Sequence, residues 1–179
     1  TCVTPYHNNF VQTRNSDHFE LIKAENCFNR RISFKKDGIW NGVDTPTFTW
    51  PNGTKVDMDS VLILLGLFIA GESITLDNSI YNYLNTYRDH IPAFIFDLSI
   101  RQQKLFFDCL LNKKSIFTTK YKQLADDIQR LCLHIGLTAT IKAGSIYRVI
   151  ISHNTTPIVN SAIYTNYNGY VYCPTMPKW

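Results

Sequence analysis

The chain has 179 residues, of which 45% are hydrophobic, 18% charged and 13% aromatic, with only eight Gly and seven Pro. This composition suffices for a buried core and excludes a disordered tail, a collagen-like fibre and a low-complexity linker. The formal net charge of +4 is compatible with a nucleic-acid partner but does not by itself indicate one. The longest apolar run, Val61 to Gly71, is shorter than the about 20 residues of a membrane-spanning helix, so no membrane partner is expected.

The sequence pattern of residues 1–56 indicates a β-rich segment. Short extended runs at 10–12, 19–22, 31–34 and 47–50 alternate with Asn, Asp and Gly, which is the pattern of strands separated by turns. The turn Pro51-Asn52-Gly53 separates this segment from a helical one.

Residues 57–153 predict packed helices with a small antiparallel sheet. Polar residues at 57–60 precede an apolar run to Gly71, which is typical of a helix buried on nearly all sides. The spacing then predicts a short helix over 80–87, helices over 100–111 and 120–135, and a hairpin of 138–142 with 147–152. The pattern of residues 154–179 predicts a C-terminal β segment with a strand at 169–173. The predicted fold class is therefore α+β.

The five cysteines are widely spread and never spaced as Cys-x-x-Cys. This pattern favours buried thiols over a disulfide scaffold or a zinc site. We therefore expect a reducing, intracellular location, which includes a virion or an organelle. Because the first residue is Thr1 and not Met, the sequence is expected to be a processed product or a fragment.

One run of residues suggests a family. Leu64-Leu65-Gly66-Leu67-Phe68-Ile69-Ala70-Gly71-Glu72-Ser73 resembles the LAGLIDADG motif of homing endonucleases. Residues 91–95 and 99–111 resemble the approach to and body of the second such motif, and residues 118–137 resemble the strand, helix and turn that come after it in intein-type enzymes. Thr4-Pro5-Tyr6-His7 resembles the TxxH block of Hint (self-splicing) domains, and residues 169–177 resemble their late strand. The resemblance implies a DOD-type endonuclease core at 57–153, flanked by Hint-like segments at 1–56 and 154–179. It also implies that the C-terminal segment returns to the β-rich lobe formed by the first.

The family's chemistry implies a metal site, and the sequence departs from it. Each motif helix of the family delivers a carboxylate to a divalent metal at a DNA phosphodiester. Here Gly71 stands at the acidic position of the first motif, and Glu72, one residue later, is turned by about 100° on a helix. Lys113-Lys114-Ser115 replaces the acidic position of the second motif, and much of the family's DNA-gripping segment is missing. The splicing half departs as well, because the chain contains neither the nucleophile at the first intein residue nor the terminal Asn that Hint chemistry requires.

Glu72 and Asp108 are the candidate catalytic residues, and Glu72 is the candidate Mg²⁺ ligand of an active nuclease. No cofactor is expected otherwise. Asp108 has the alternative of a solvated or paired carboxylate on an amphipathic helix. His7 is a candidate remnant of the splicing histidine, and a purely structural histidine is its alternative.

Two basic clusters are candidate nucleic-acid contacts. The first surrounds the start of the helix at 120–135, where Thr118 and Thr119 add polar groups, and it consists of Lys113, Lys114, Lys120 and Lys122. The second alternates with Ile32 and Phe34 and consists of Arg30, Arg31, Lys35 and Lys36. The alternatives are a solvated charged helix face and an edge strand kept soluble by its charges.

Two function hypotheses fit these observations. The favoured one is a decayed homing-endonuclease relative that has lost cleavage and splicing. It binds DNA or RNA, or serves as a structural component, together with other protein chains in a larger assembly such as a virion, a polymerase complex or an organellar ribosome. The alternative is an active Mg²⁺-dependent, site-specific double-strand DNA endonuclease of intein origin.

Overall fold

The computed structural model describes residues 3–35, 38, 40–159 and 165–170. The chain divides into two compact units, unit 1 formed by Thr1–Lys35 with Thr156–Trp179, and unit 2 formed by Lys36–Thr155. Both units contain helices and antiparallel strands, which confirms the predicted α+β class. In chain order the elements are β1 (Asn8–Thr13), β2 (Glu20–Lys23), α1 (Ala24–Cys27), β3 (Ile32–Phe34), β4 (Thr47–Thr49), β5 (Lys55–Asp57), α2 (Met58–Ala70), α3 (Asn78–Asn85), a 3-10 helix (Ala93–Asp97), α4 (Ile100–Leu111), β6 (Ile116–Thr119), α5 (Lys122–His134), β7 (Thr138–Lys142), β8 (Tyr147–Ser152) and β9 (Ile158–Val159).

Unit 1 is built on a four-stranded antiparallel sheet in the order β2-β1-β3-β9. Its small core consists of Val11, Cys27 and Ile32. The extended runs predicted at 10–12, 19–22 and 31–34 correspond to β1, β2 and β3. The strand predicted at 169–173 lies largely outside the described residues.

Unit 2 is organised around two packed helices, α2 and α4. The side chain of Asp57 accepts a hydrogen bond from the Ser60 backbone N–H at 2.8 Å and so caps the start of α2. At the middle of α2, Gly66 lies so close to α4 that a Cβ atom there would be 2.8 Å from Cys109 Cβ and from the Phe106 carbonyl oxygen. The absence of a side chain at this position therefore allows the close approach of the two helices.

The second layer of unit 2 is a three-stranded antiparallel sheet in the order β6-β8-β7. Its inner face carries Phe117, Val149 and Ile141, which pack with α5 in the core of the unit. Its outer face is largely exposed. Because side chains alternate along a strand, every second residue of β6, β7 and β8 lies on this outer face.

Unit 2 begins before the boundary that the sequence suggests. The hairpin of β4 and β5 falls within the predicted segment 1–56, but it belongs to unit 2 and packs on α2. Gln102 on α4 donates to the Thr45 carbonyl oxygen and accepts from the Thr45 N–H, so residue 45 is tied to the helical core.

In the parts of the chain that the structure describes, no helix has the length and apolar character required to cross a membrane. Cys27, Cys109 and Cys132 are free thiols, the first and last of them buried. Cys2 and Cys173 lie outside the described residues.

Candidate nucleic-acid interface

A cavity of about 380 Å³ lies in unit 2 at the C-terminal ends of α2 and α4. We call it the helix-end cavity and define it by its charged lining residues Glu72, Arg88, Lys114 and Lys120. Glu72 Oε1 accepts a hydrogen bond from Asn112 Nδ2 at 3.4 Å across the cavity. The size is within the range of small-ligand sites in proteins.

Two left-handed backbone positions bring the cavity walls together. Gly71 has φ of 83° and ends α2, with its N–H directed to the carbonyls of the last turn. Asn112 has φ of 46° and ends α4 in the same manner, and Lys113 continues the left-handed path with φ of 63°. These terminations have the common C-cap geometry of helices. Their consequence is that the residues after each helix turn toward the same cavity.

The guanidinium of Arg88 is held in a fixed position at the cavity. Its Cζ lies 4.8 Å from the Phe68 ring centroid, its Nε donates to Asn85 Oδ1 at 2.5 Å, and its Nη2 donates to the Tyr81 hydroxyl at 3.3 Å. Stacking on an aromatic ring leaves the guanidinium edge available for anions. Arg88 forms no ion pair with a described residue.

The lysines of the cavity are also without acidic partners. Neither Lys114 nor Lys120 makes an ion pair within the described chain, and Lys120 Nζ lies 5.0 Å from the Tyr121 ring centroid. Lys120 immediately precedes the Tyr121 N-cap of α5. A cation at a helix N-terminus is unfavourable because the helix dipole is positive there. The position of Lys120 is therefore not explained by stabilisation of α5.

The outer face of the sheet carries a second set of cations. In the strand register, Arg148 of β8 pairs with Thr118 of β6 on one side and with Lys142 of β7 on the other. All three residues are exposed and point to the same face. We call this row the basic sheet face. Lys114 and Lys120 flank β6, so the row adjoins the helix-end cavity.

No acidic residue of the nearby sequence neutralises the basic sheet face. The chain contains no Asp or Glu between Asp108 and Asp126, and none after Asp127. Like charges directly opposite each other in an antiparallel pair destabilise the sheet. Lys142 and Arg148 are such a pair, so their placement costs stability in the absence of an anion.

The structure brings together only part of the first predicted basic cluster. Lys114 and Lys120 line the helix-end cavity, together with the predicted Glu72. Lys122 instead forms an ion pair with Asp126 one turn along α5. Lys113 is exposed beside the cavity but is not part of its lining.

Asp108 and Glu72 do not form a paired-carboxylate site in the cavity. Asp108 is exposed on α4, one turn before the helix ends, and does not line the cavity. Within the described ranges, no group of three or more His, Cys, Asp or Glu side chains is placed to hold a metal ion.

The remaining predicted residues belong to unit 1. Arg30, Arg31 and Lys35 are exposed at the two ends of β3, and Lys36 lies outside the described residues. His7 is half-buried, and its backbone donates to the Thr4 carbonyl and accepts from the Ala24 N–H.

Sequence reasoning missed the cations Arg88, Lys142 and Arg148 and the amide of Asn112. Arg88 and Asn112 lack a local signal, because their meeting depends on how α2 and α4 pack. A signal for Lys142 and Arg148 does exist in the sequence, namely the absence of acidic residues after Asp127 combined with the strand alternation at 138–142 and 147–152.

Comparison with known proteins gives a distant relationship. No protein-family model matches the chain. The chain is similar to a protein of Chlamydomonas moewusii named as an ATP-dependent Clp protease proteolytic subunit, with 22% identity over 222 aligned positions. The alignment covers 78% of this chain and 22% of that protein. The chain thus spans about a fifth of the length of the relative that it matches. The alignment is longer than the chain, so it contains gaps in this chain.

These findings correct the resemblance drawn from the sequence. The assignment to the LAGLIDADG homing endonucleases with intein-like Hint flanks is wrong, because no family model matches and the similarity found is to a protease subunit. The structure gives the physical reason why the pattern misled. Gly66 is required by the close approach of α4, Gly71 by the left-handed C-cap, and the apolar run by burial. These are packing and capping needs that are not specific to one family.

A Ser, an Asp and a His, the residue types of a serine-protease site, meet at residues 16–18. Asp17 Oδ1 lies 3.0 Å and Ser16 Oγ lies 3.3 Å from the same ring nitrogen, His18 Nδ1. In a catalytic triad the serine and the aspartate contact opposite nitrogens of the imidazole. This exposed cluster therefore does not have the geometry of a triad.

Proposed function

We propose that unit 2 binds the phosphate backbone of DNA or RNA through the basic sheet face, and that the chain is a nucleic-acid-binding component of a larger assembly with other protein chains. The observation that carries the proposal is the directly opposed pair of Lys142 and Arg148 on the exposed face of a sheet whose three strands contain no acidic residue. An anionic partner converts this unfavourable pair into a favourable one, since each cation then faces a phosphate.

The proposed binding needs no metal or cofactor. Lysine and arginine contacts to phosphates release condensed counterions, which supplies most of the affinity of non-specific nucleic-acid binding. The polar neighbours Thr118 and Thr140 on the same face add hydroxyl groups of the type that contact phosphate oxygens. These groups contact phosphates, which are the same for every base sequence, so binding without sequence preference is expected.

The test is the salt dependence of binding by the Lys142→Gln and Arg148→Gln variants. Fluorescence anisotropy with a labelled hairpin DNA duplex, repeated with RNA, gives the dissociation constant at several salt concentrations. Each phosphate contact that is lost is expected to reduce the slope of log affinity against log salt by about 0.9 for duplex DNA. Lys104→Gln is the matched control, because Lys104 is an exposed cation on α4 that belongs neither to the three strands of the sheet nor to the lining of the cavity.

A second readout separates a binding defect from a folding defect. Removal of one of two opposed like charges is expected to raise the stability of unit 2 by about 0.2 to 1 kcal/mol. The Arg148→Gln variant should therefore bind more weakly and unfold at a slightly higher temperature. Identical salt slopes for the wild type, the two sheet variants and Lys104→Gln would contradict the proposal.

The larger assembly is tested by sedimentation of a gentle extract under reducing conditions, followed by detection of the native chain. Co-sedimentation with a large particle is expected, and the free thiols of Cys27, Cys109 and Cys132 are consistent with a reducing compartment for that particle. Migration as a free chain near 20.7 kDa would contradict this part of the proposal.

The similarity to a proteolytic subunit favours a second candidate function, a role as one segment of a longer protease-like protein. Hydrolysis of a fluorogenic peptide, together with covalent labelling of a serine by a fluorophosphonate, tests whether this chain is itself hydrolytic. Labelling that maps to a serine of the chain would favour the second candidate over nucleic-acid binding.

A further inference from the structure

The helix-end cavity has a charge that matches one particular chemical group. Its lining contains three cations, Arg88, Lys114 and Lys120, and one carboxylate, Glu72, which gives a formal charge of +2. An internal phosphodiester carries one negative charge, whereas a phosphate monoester carries about −1.5 to −2 at pH 7. A monoester therefore neutralises the cavity where a diester does not.

The arrangement of the cations also fits a monoester. The Arg88 guanidinium is fixed by Phe68, Asn85 and Tyr81, so little side-chain freedom is lost when it binds an anion. Lys120 is placed at a helix N-terminus, where a cation is unfavourable unless an anion lies beside it. The side chain of Thr118, which also lines the cavity, adds a hydroxyl donor.

Glu72 and Asn112 supply the complementary polar groups. A bare phosphate ion offers few donors to a carboxylate, but the terminal ribose of an RNA strand keeps a 2′-hydroxyl group, which donates to one. The carboxylate of Glu72 and the amide of Asn112, 3.4 Å apart, form an acceptor and donor pair at the rim of the same cavity. The cavity thus offers both a cationic site and a site for a neutral polar group.

From these observations we infer that the helix-end cavity binds a terminal phosphate monoester of an RNA strand, with the 2′-hydroxyl of the terminal ribose at Glu72 and Asn112. The inference rests on the proposed function, because the basic sheet face adjoins the cavity through β6 and its flanking residues Lys114 and Lys120. Strand backbone lies on the sheet face, and the strand end enters the cavity.

The test compares three versions of one hairpin RNA duplex, with a 5′-phosphate, with a 3′-phosphate and with hydroxyl groups only at both ends, by fluorescence anisotropy. The wild-type chain is expected to bind one phosphorylated form about tenfold more tightly than the hydroxyl form. Arg88→Gln and Lys120→Gln are expected to remove this preference, so that each variant binds the phosphorylated and hydroxyl forms with equal affinity. Arg148→Gln should weaken all three forms equally, and Lys104→Gln should change none of them.

Several outcomes would overturn the inference. Equal wild-type affinity for the three forms overturns the cavity inference alone, provided that Arg148→Gln still weakens binding. Absence of binding to all three overturns the proposed function, and the inference with it. A third outcome is that the wild type binds AMP saturably, that Arg88→Gln abolishes this binding, and that the phosphorylated duplexes are not preferred. This outcome assigns the cavity to free phosphate monoesters instead of strand ends. If Arg88→Gln and Lys120→Gln lower the unfolding temperature but keep the preference, the cations stabilise helix ends and do not bind the phosphate.

Discussion

Gly66 sets the distance between α2 and α4, and its replacement tests the packing on which the helix-end cavity depends. A Cβ atom at this position would lie 2.8 Å from Cys109 Cβ and from the Phe106 carbonyl oxygen, and 3.2 Å from the Leu110 nitrogen. These atoms belong to the framework of α4 and cannot rotate away. Restoring an ordinary contact of 3.4 Å requires α4 to move by about 0.6 Å.

The expected magnitude is the balance of two opposing effects. Overpacking of a core costs about 1 to 3 kcal/mol, whereas alanine in a helix interior is about 1 kcal/mol more favourable than glycine. Gly66→Ala is therefore expected to lower the free energy of unfolding by about 1 kcal/mol, and Gly66→Val by about 3 kcal/mol, since it adds two further methyl groups. Urea unfolding followed by circular dichroism, at an unchanged slope against denaturant, measures both values.

Gly144→Ala provides the matched control. The nearest atom to a Cβ there is the Ile146 carbonyl oxygen at 3.6 Å, so alanine fits without displacement. This variant is expected to leave the protein equally stable or to stabilise it by up to about 1 kcal/mol. If Gly66→Ala is likewise stabilising, by the full helix-propensity gain, the close approach of α2 and α4 is refuted.

Further predictions concern the α2 cap, a buried thiol and a half-buried imidazole. Asp57→Ala removes the cap on the Ser60 N–H and should lower the free energy of unfolding by about 1 kcal/mol, while Asp57→Ser should restore most of it in the same denaturation assay. Burial raises the pKa of the Cys132 thiol to about 12, so iodoacetamide should label its peptide at pH 8 only in the unfolded protein, as read by mass spectrometry. Burial and the nearby Arg130 lower the pKa of His134. The unfolded chain then takes up the proton first, so stability is full above the unfolded pKa of about 6.5 and falls as the pH drops from there toward the folded pKa. A His134→Gln variant should show a smaller drop in unfolding temperature between pH 7.5 and 5 than the wild type; an equal drop would contradict this assignment.

The local elements of this chain are predictable from sequence where one periodicity dominates. The helix over 100–111 has the bounds that its apolar spacing predicts, and the hairpin strands at 138–142 and 147–152 also match. The Asp57 cap and the Gly71 terminator mark the ends of α2 in the sequence itself. These features depend on neighbours within a few residues, so a single sequence carries the information.

Long-range placement is not predictable in the same way. The hairpin of β4 and β5 follows the strands of unit 1 in the sequence but belongs to unit 2. Contacts between distant residues, such as that of Gln102 with Thr45, hold this part of the chain on the helical core. Arg88 and Asn112 meet Glu72 through the packing of α2 on α4, which no local pattern records. A short motif that resembles a family is weak evidence of membership in that family, because Gly66 and Gly71 serve general packing and capping needs.

Unit 1 receives its last strand late in synthesis. β3 and β9 pair with each other, but the 36–155 segment lies between them in the chain, so about 120 residues must be made after β3 before its partner exists. At about 5 to 20 residues per second, this delay is about 6 to 25 s. During that time the edge of β3 is open to pairing with other chains. Unit 2, whose residues are continuous in the chain, does not wait for a distant segment. Aggregation during synthesis is therefore expected to begin at unit 1, and a slower supply of nascent chains should reduce it.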